Sequence, residues 1–152
     1  MSNLIKFNSW CIGRITTGSK TQTRRPLKPE PEIELTCAWK YDKTEEIWLL
    51  GDEQTATVYM TVKCPYGNIG DTLTIKDTDI RLKITNIRLE RLQTITEEDT
   101  RAEGCDELQE GVKFWGNGVH FPSLWDEFYF DIGFGWFTNP WVWVIEFVRE
   151  EK

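Results

Sequence analysis

Apolar and polar positions divide this chain into short elements of two periods. Phe7, Trp10, Cys11 and Ile15 keep a helix-compatible spacing through residues 7–17, and Gly18 stands where such a helix would stop. Pro26, Pro29 and Pro31 then enforce an extended connection, because each ring fixes its own φ and restricts the residue before it. Strand-like segments follow at 33–41, 46–50 and 55–63, with Asp42-Lys43-Thr44 and Gly51-Asp52-Glu53 as turns. A loop through Pro65-Tyr66-Gly67-Asn68 and Gly70-Asp71 precedes a strand at 72–76. Asp77-Thr78-Asp79 turns this into a strand at 80–92, where Ile80, Leu82 and Ile84 alternate with polar residues. Thr96 opens a short helix: Asp99 completes a capping-box-like spacing, Glu97 and Glu98 suit a helix N-terminus, and Gly104 ends it. A further short helix is expected at 121–130, and Asn139-Pro140 breaks the chain before a last strand at 141–148. Strands dominate and are short. The pattern predicts one α+β domain spanning residues 1–152, a small β-barrel with peripheral short helices.

Composition narrows the function classes. At 152 residues the chain can bury a substantial core, and eight tryptophans supply it with bulk. Its 25 acidic against 18 basic residues give a net charge of −7, so the overall field repels nucleic acid phosphates. Broad non-specific DNA binding is not expected; any nucleic acid contact has to come from a local basic pocket. Cys11, Cys37, Cys64 and Cys105 are far apart, with only His120 to add, so zinc-ligand spacing is absent and neither metal nor cofactor is expected. No signal-peptide pattern is read, and reduced thiols in a cytoplasm are the expectation. The apolar run 141–147 is interrupted by Glu146 and is far too short to span a bilayer.

Cations concentrate in one place. Gly18-Ser19-Lys20-Thr21-Gln22-Thr23-Arg24-Arg25 carries a lysine, hydroxyls and two arginines, closed by Pro26. It almost spells a phosphate-cradling loop. However, Ser19 separates glycine from lysine, no strand precedes the segment, and Pro26 opposes the helix that should come next. A solvated basic turn is the plain alternative. In an extended segment Thr23 and Arg25 share a face, whereas Lys20 would point the other way unless a turn or bulge intervened.

Read as G-x-K-x-x-T-x-R, positions 18, 20, 23 and 25 resemble the signature of the ASCH domain, a branch of the PUA-like superfamily of small β-barrels. The resemblance extends along most of the chain. Phage-encoded members look similar in G-x-K-T-Q-T-R-R-P (18–26), C-P-Y-G-x-x-G-D (64–71), R-L-x-x-I-T-E-E-D-x-x-A-E-G (91–104) and N-P-W-V-W-V-I-E-F (139–147). One segment departs: where those members often carry L-W-V-R-E-T, this chain has Leu73-Thr74-Ile75-Lys76-Asp77-Thr78.

The resemblance implies binding of a modified nucleoside or an RNA base, in a cytoplasm (that of the host if the chain is phage-encoded). It also implies amidohydrolysis of acetylated cytidine, with Lys20 as proton acceptor, Thr23 as nucleophile and Glu103 as proton donor. Gly18, Arg24, Arg25 and Tyr66 are the candidate substrate-binding residues. The alternatives are a non-enzymatic RNA-binding module and a phage accessory protein that sequesters a host nucleotide or protein. The chemistry has stated needs. A threonine hydroxyl requires a base, a lysine base must be desolvated or crowded by cations such as Arg24 and Arg25, and a carboxyl acid must be sheltered. Glu103 at a helix end fits that acid and equally fits a surface position. Trp39, Trp48, Trp115 and Tyr66 are candidates to stack on a base, core packing being the ordinary role of each. His120 follows Gly116-Asn117-Gly118, a candidate lid.

Overall fold

A computed structural model describes residues 3–31, 34–42, 47–105 and 120–150. Trp115 and the candidate lid at 116–118 lie outside them. The order is β1 (Asn3–Ile5), α1 (Ser9–Thr16), β2 (Gln22–Pro26), β3 (Cys37–Asp42), β4 (Ile47–Asp52), β5 (Thr57–Lys63), β6 (Thr72–Ile75), β7 (Arg81–Arg91), α2 (Glu97–Ala102), α3 (Phe121–Tyr129) and β8 (Trp141–Arg149).

The strands form two sheets. A five-stranded mixed sheet runs β1-β6-β7-β8-β2, with β1 parallel to β6 and the other neighbours antiparallel. A three-stranded antiparallel sheet runs β3-β4-β5. The fold is α+β, and among the described residues no ladder joins the two sheets into a closed barrel. No described helix is long and apolar enough to cross a membrane.

The core lies between the sheets. Trp48 of β4 meets Trp143 of β8 edge to face, with ring centroids 6.1 Å apart, and Leu50, Ile84, Leu89 and Ile145 are buried around them. β8 is buried on both faces. Trp141, Trp143, Ile145 and Phe147 face this core, while Val142 and Val144 face a second cluster made with Phe121 and Trp125 of α3. That is why 141–147 reads as an unbroken apolar run.

β7 solves a parity problem. Leu82 and Ile84 occupy even positions, whereas Ile87 and Leu89 are odd, yet all four enter the same core. A register shift between Ile84 and Asn86 absorbs one residue and restores the common face. The same shift turns Asn86, Arg88 and Glu90 together toward the opposite face, where they meet Glu146, Arg24 and Asp99.

Helix ends follow their sequences. Asn8 caps α1 by accepting from Cys11 N at 2.8 Å. Thr96 and Asp99 form a reciprocal capping box at the start of α2. The strand expected at 33–41 is Cys37–Asp42, and β1 was not foreseen at all. Three residues carry no readable alternation; β1 exists because Asn3–Ile5 pairs with Leu73–Ile75 about seventy positions away.

Trp143 is 1% exposed and touches both the facing sheet and its own neighbours. Trp143→Ala should destabilise the protein by about 3–5 kcal/mol. Urea unfolding followed by circular dichroism will measure this.

Candidate functional site

The cationic segment is a strand with a buried lead-in. α1 ends in a turn at Gly18 (φ +83°), and Ser19 N and Lys20 N both donate to Arg14 O at 2.8 and 3.0 Å. β2 then pairs with β8, placing Thr23 opposite Ile145 and Arg24 opposite Val144. Pro26 is tolerated because β2 is an edge strand.

Lys20 does not enter solvent. Its residue is 4% exposed, and Nζ donates to Glu103 Oε1 at 2.8 Å and to Glu103 O at 3.1 Å. The two residues also form an isolated antiparallel bridge, supported by Thr21 N donating to Ala102 O at 2.8 Å. Glu103 caps the C-terminal end of α2 and is itself 4% exposed, so it is no surface helix end. Its other oxygen, Oε2, is buried without a hydrogen-bond partner and lies 3.9 Å from Arg24 Nε, which also lacks a hydrogen-bond partner.

Thr23 and Arg25 share a face and touch: Arg25 Nε donates to Thr23 Oγ1 at 3.2 Å. Arg25 Nη2 donates to Lys6 O at 2.8 Å, and its guanidinium carbon sits 4.8 Å from the Phe7 ring centre and 5.8 Å from that of Tyr66. Arg24 alternates to the other face. Its terminal nitrogens are occupied by Glu90 Oε1 at 3.0 Å and Asp99 Oδ2 at 3.1 Å. Arg88 cross-links the same carboxylates and reaches Glu146 Oε2 at 3.1 Å.

Lys20, Thr23, Arg24, Arg25 and Glu103 line one cavity of about 90 Å³. Its remaining walls come from the start of α1 and from α3, including Phe7, Cys11, Trp125 and Tyr129. Gly18 shapes the turn and does not line this cavity; Tyr66 lines an adjoining one. Residues 73–78, where the chain departs from the phage-type pattern, line neither. Trp48 is a core residue, Trp39 is half-buried in β3, and the His120 ring lies 3.3 Å from Ser123 Oγ at the start of α3. Among the described residues no group of His, Cys, Asp and Glu is placed to hold a metal ion. No disulfide joins the four cysteines.

The α3 wall was missed by sequence reasoning. Its apolar positions look like core, and nothing local says that Tyr129 borders a cavity. Burial pushes the Tyr129 phenol up, against the opposing pull of Arg25; burial likewise raises the Cys11 thiol, against Lys20. Both groups are therefore protonated at neutral pH, and both can donate hydrogen bonds into the cavity.

Asp99 titrates the other way. Partial burial raises its pKa, but hydrogen bonds from Gln22 and Thr96 together with the charges of Arg24 and Arg88 outweigh it, and the carboxyl lies below its ordinary 3.8. The unfolded chain therefore takes up this proton first. The stability Asp99 contributes is complete above about pH 4 and disappears as pH falls through the lower folded value. Acid unfolding followed by tryptophan fluorescence should show a steep stability loss below about pH 4 in the wild type. That limb should be shallower in Asp99→Asn.

The chain matches no family model, and no curated protein is significantly similar to it. In three dimensions it is similar to the crystal structure of hypothetical protein PH0355, with 17% identity over 99% of this chain and 100% of that one and a TM-score of 0.48.

Proposed function

We propose that this chain is an ASCH-like pocket protein, a relative of the PUA-like small β-barrels, that takes up a modified nucleoside and hydrolyses the amide of acetylated cytidine. One observation carries the reading: Lys20 and Glu103, 83 positions apart, meet at 2.8 Å on the wall of a cavity that Thr23 also lines. A solvated basic turn does not bury its lysine and threonine against an acid from another element.

The pair supplies both a base and an acid. A proton moving from Lys20 Nζ to Glu103 along their hydrogen bond leaves a neutral amine beside a neutral carboxylic acid. Thr23 Oγ then attacks the acetyl carbon as its proton passes to Lys20. The C–N bond breaks as Glu103 gives its proton to the departing exocyclic amine of cytosine. The acetyl group now rests on Thr23 as an ester. Water attacks it, losing a proton to Glu103, while Lys20 returns one to Thr23 Oγ; acetic acid leaves and the neutral pair is restored. Arg25 Nε, already donating to Thr23 Oγ1, steadies negative charge at the reacting oxygen.

A second reading, uptake of a nucleoside or single RNA base without turnover, is favoured by the same contact. An ammonium held by a carboxylate is a fixed donor rather than a base.

Purified protein incubated with acetylated cytidine, with deacetylation followed by chromatography, separates the two. The expectation is turnover, reduced at least about 100-fold in kcat/KM by Lys20→Ala, Thr23→Ala or Glu103→Gln. Absence of turnover in the wild type eliminates hydrolysis, and full activity in Lys20→Ala eliminates Lys20 as the base and the site chemistry with it. Binding of the nucleoside without turnover leaves the second reading standing.

A further inference from the structure

The larger cavity beside the site, of about 470 Å³, has no part in the chemistry above. It shares Arg25 and Tyr129 with the first cavity, so the two meet across one guanidinium and one phenol ring. Two sequence motifs converge on it: Pro26 closes the cationic segment, and Pro65-Tyr66 belong to the C-P-Y-G loop, which the reaction leaves unused. That loop is tied down, since Asn3 Nδ2 donates to Tyr66 O at 2.9 Å.

Charge distinguishes this cavity. The chain carries 25 acidic and 18 basic residues, yet the charged residues lining this space are Arg25, Lys28 and Lys63, all cations. Lys28 and Lys63 are exposed, and the Lys28 amine lies 5.9 Å from the Phe134 ring centre. Tyr66 and Tyr129 add flat apolar surface beside them. A cationic, aromatic-walled space adjoining the first cavity suits the groups that a nucleotide carries beyond its base, a sugar and then a phosphate.

We infer that this second cavity is a phosphate subsite and that the ligand is a nucleoside 5′-monophosphate, its base in the first cavity and its phosphate between Lys28 and Lys63. The inference rests on the nucleoside reading of the first cavity. A phosphate monoester carries close to two negative charges at neutral pH and makes charge-assisted hydrogen bonds with amines and guanidinium groups. A single nucleotide is favoured over a strand because the net charge of −7 repels each further phosphate of a polyanion.

Calorimetric titration tests this with four probes: cytidine, cytidine 5′-monophosphate, inorganic phosphate and a short single-stranded oligocytidylate. The monophosphate should bind at least about tenfold more tightly than cytidine at low salt. That ratio should shrink as salt rises, and should fall toward one in the Lys28→Ala/Lys63→Ala double variant. A melting curve will establish that this variant is folded. Equal affinity for cytidine and its monophosphate overturns the inference, as does an undiminished ratio in the double variant or no binding of the monophosphate. Tighter binding of the oligocytidylate per nucleotide overturns it in favour of a strand. The two readings fail separately. If monophosphate and inorganic phosphate bind through Lys28 and Lys63 while acetylated cytidine neither binds nor reacts, the subsite stands and the hydrolase falls. If acetylated cytidine is turned over and a 5′-phosphate adds nothing, the hydrolase stands and the subsite falls.

Discussion

A buried ammonium and a buried carboxylate in contact organise this molecule. Removing either charge from water is expensive, and attraction compensates only when geometry is good and the remaining polar atoms are served. Lys20 meets its part of that condition by donating to both the side-chain and main-chain oxygens of Glu103, while Glu103 Oε2, which has no hydrogen-bond partner, is faced by the Arg24 charge at 3.9 Å. The backbones are joined at the same point, so the pair is held from two levels at once. Gly104 makes the approach possible. Its φ of +89° suits glycine, and a Cβ there would come within 3.3 Å of Lys20 Cβ. The end of α2 is thus shaped to deliver an acid to a lysine far away in sequence.

Behind that contact stands a second layer of charge. Arg24, with its side chain fully buried, binds Glu90 and Asp99; Arg88 binds both again and adds Glu146. Asp99 simultaneously caps α2, so the helix that carries Glu103 is fastened to β2 and β7 through one carboxylate. This arrangement exists only because the shift in β7 turns Asn86, Arg88 and Glu90 to one side. Arg24 and Arg25 are neighbours in sequence with different work. One secures the scaffold, and the other stands at the wall shared by the two cavities.

An acidic chain and a concentrated cationic segment are compatible for the same reason. Lys20, Arg24 and Arg88 are each answered by carboxylates of Glu103, Glu90, Asp99 and Glu146, so these cations add little to the field at a distance and the net charge of the chain stays at −7.

Helices, most strands and turns were readable because their signals are local: alternation, capping residues, prolines and glycines act within a few positions. The cationic segment stood out for a similar reason, being compact and set against an acidic background. Other features were not readable. β1 needed a partner strand, the α3 wall was indistinguishable from core, and the faces of Arg24 and Arg25 depended on pairing with β8. Above all, whether Glu103 met Lys20 or water rested on how α2 docks, and docking is set by contacts between segments that are distant in the chain. Periodicity and composition report what each stretch prefers; which stretches become neighbours is settled by packing and by the pairing of buried charges in three dimensions.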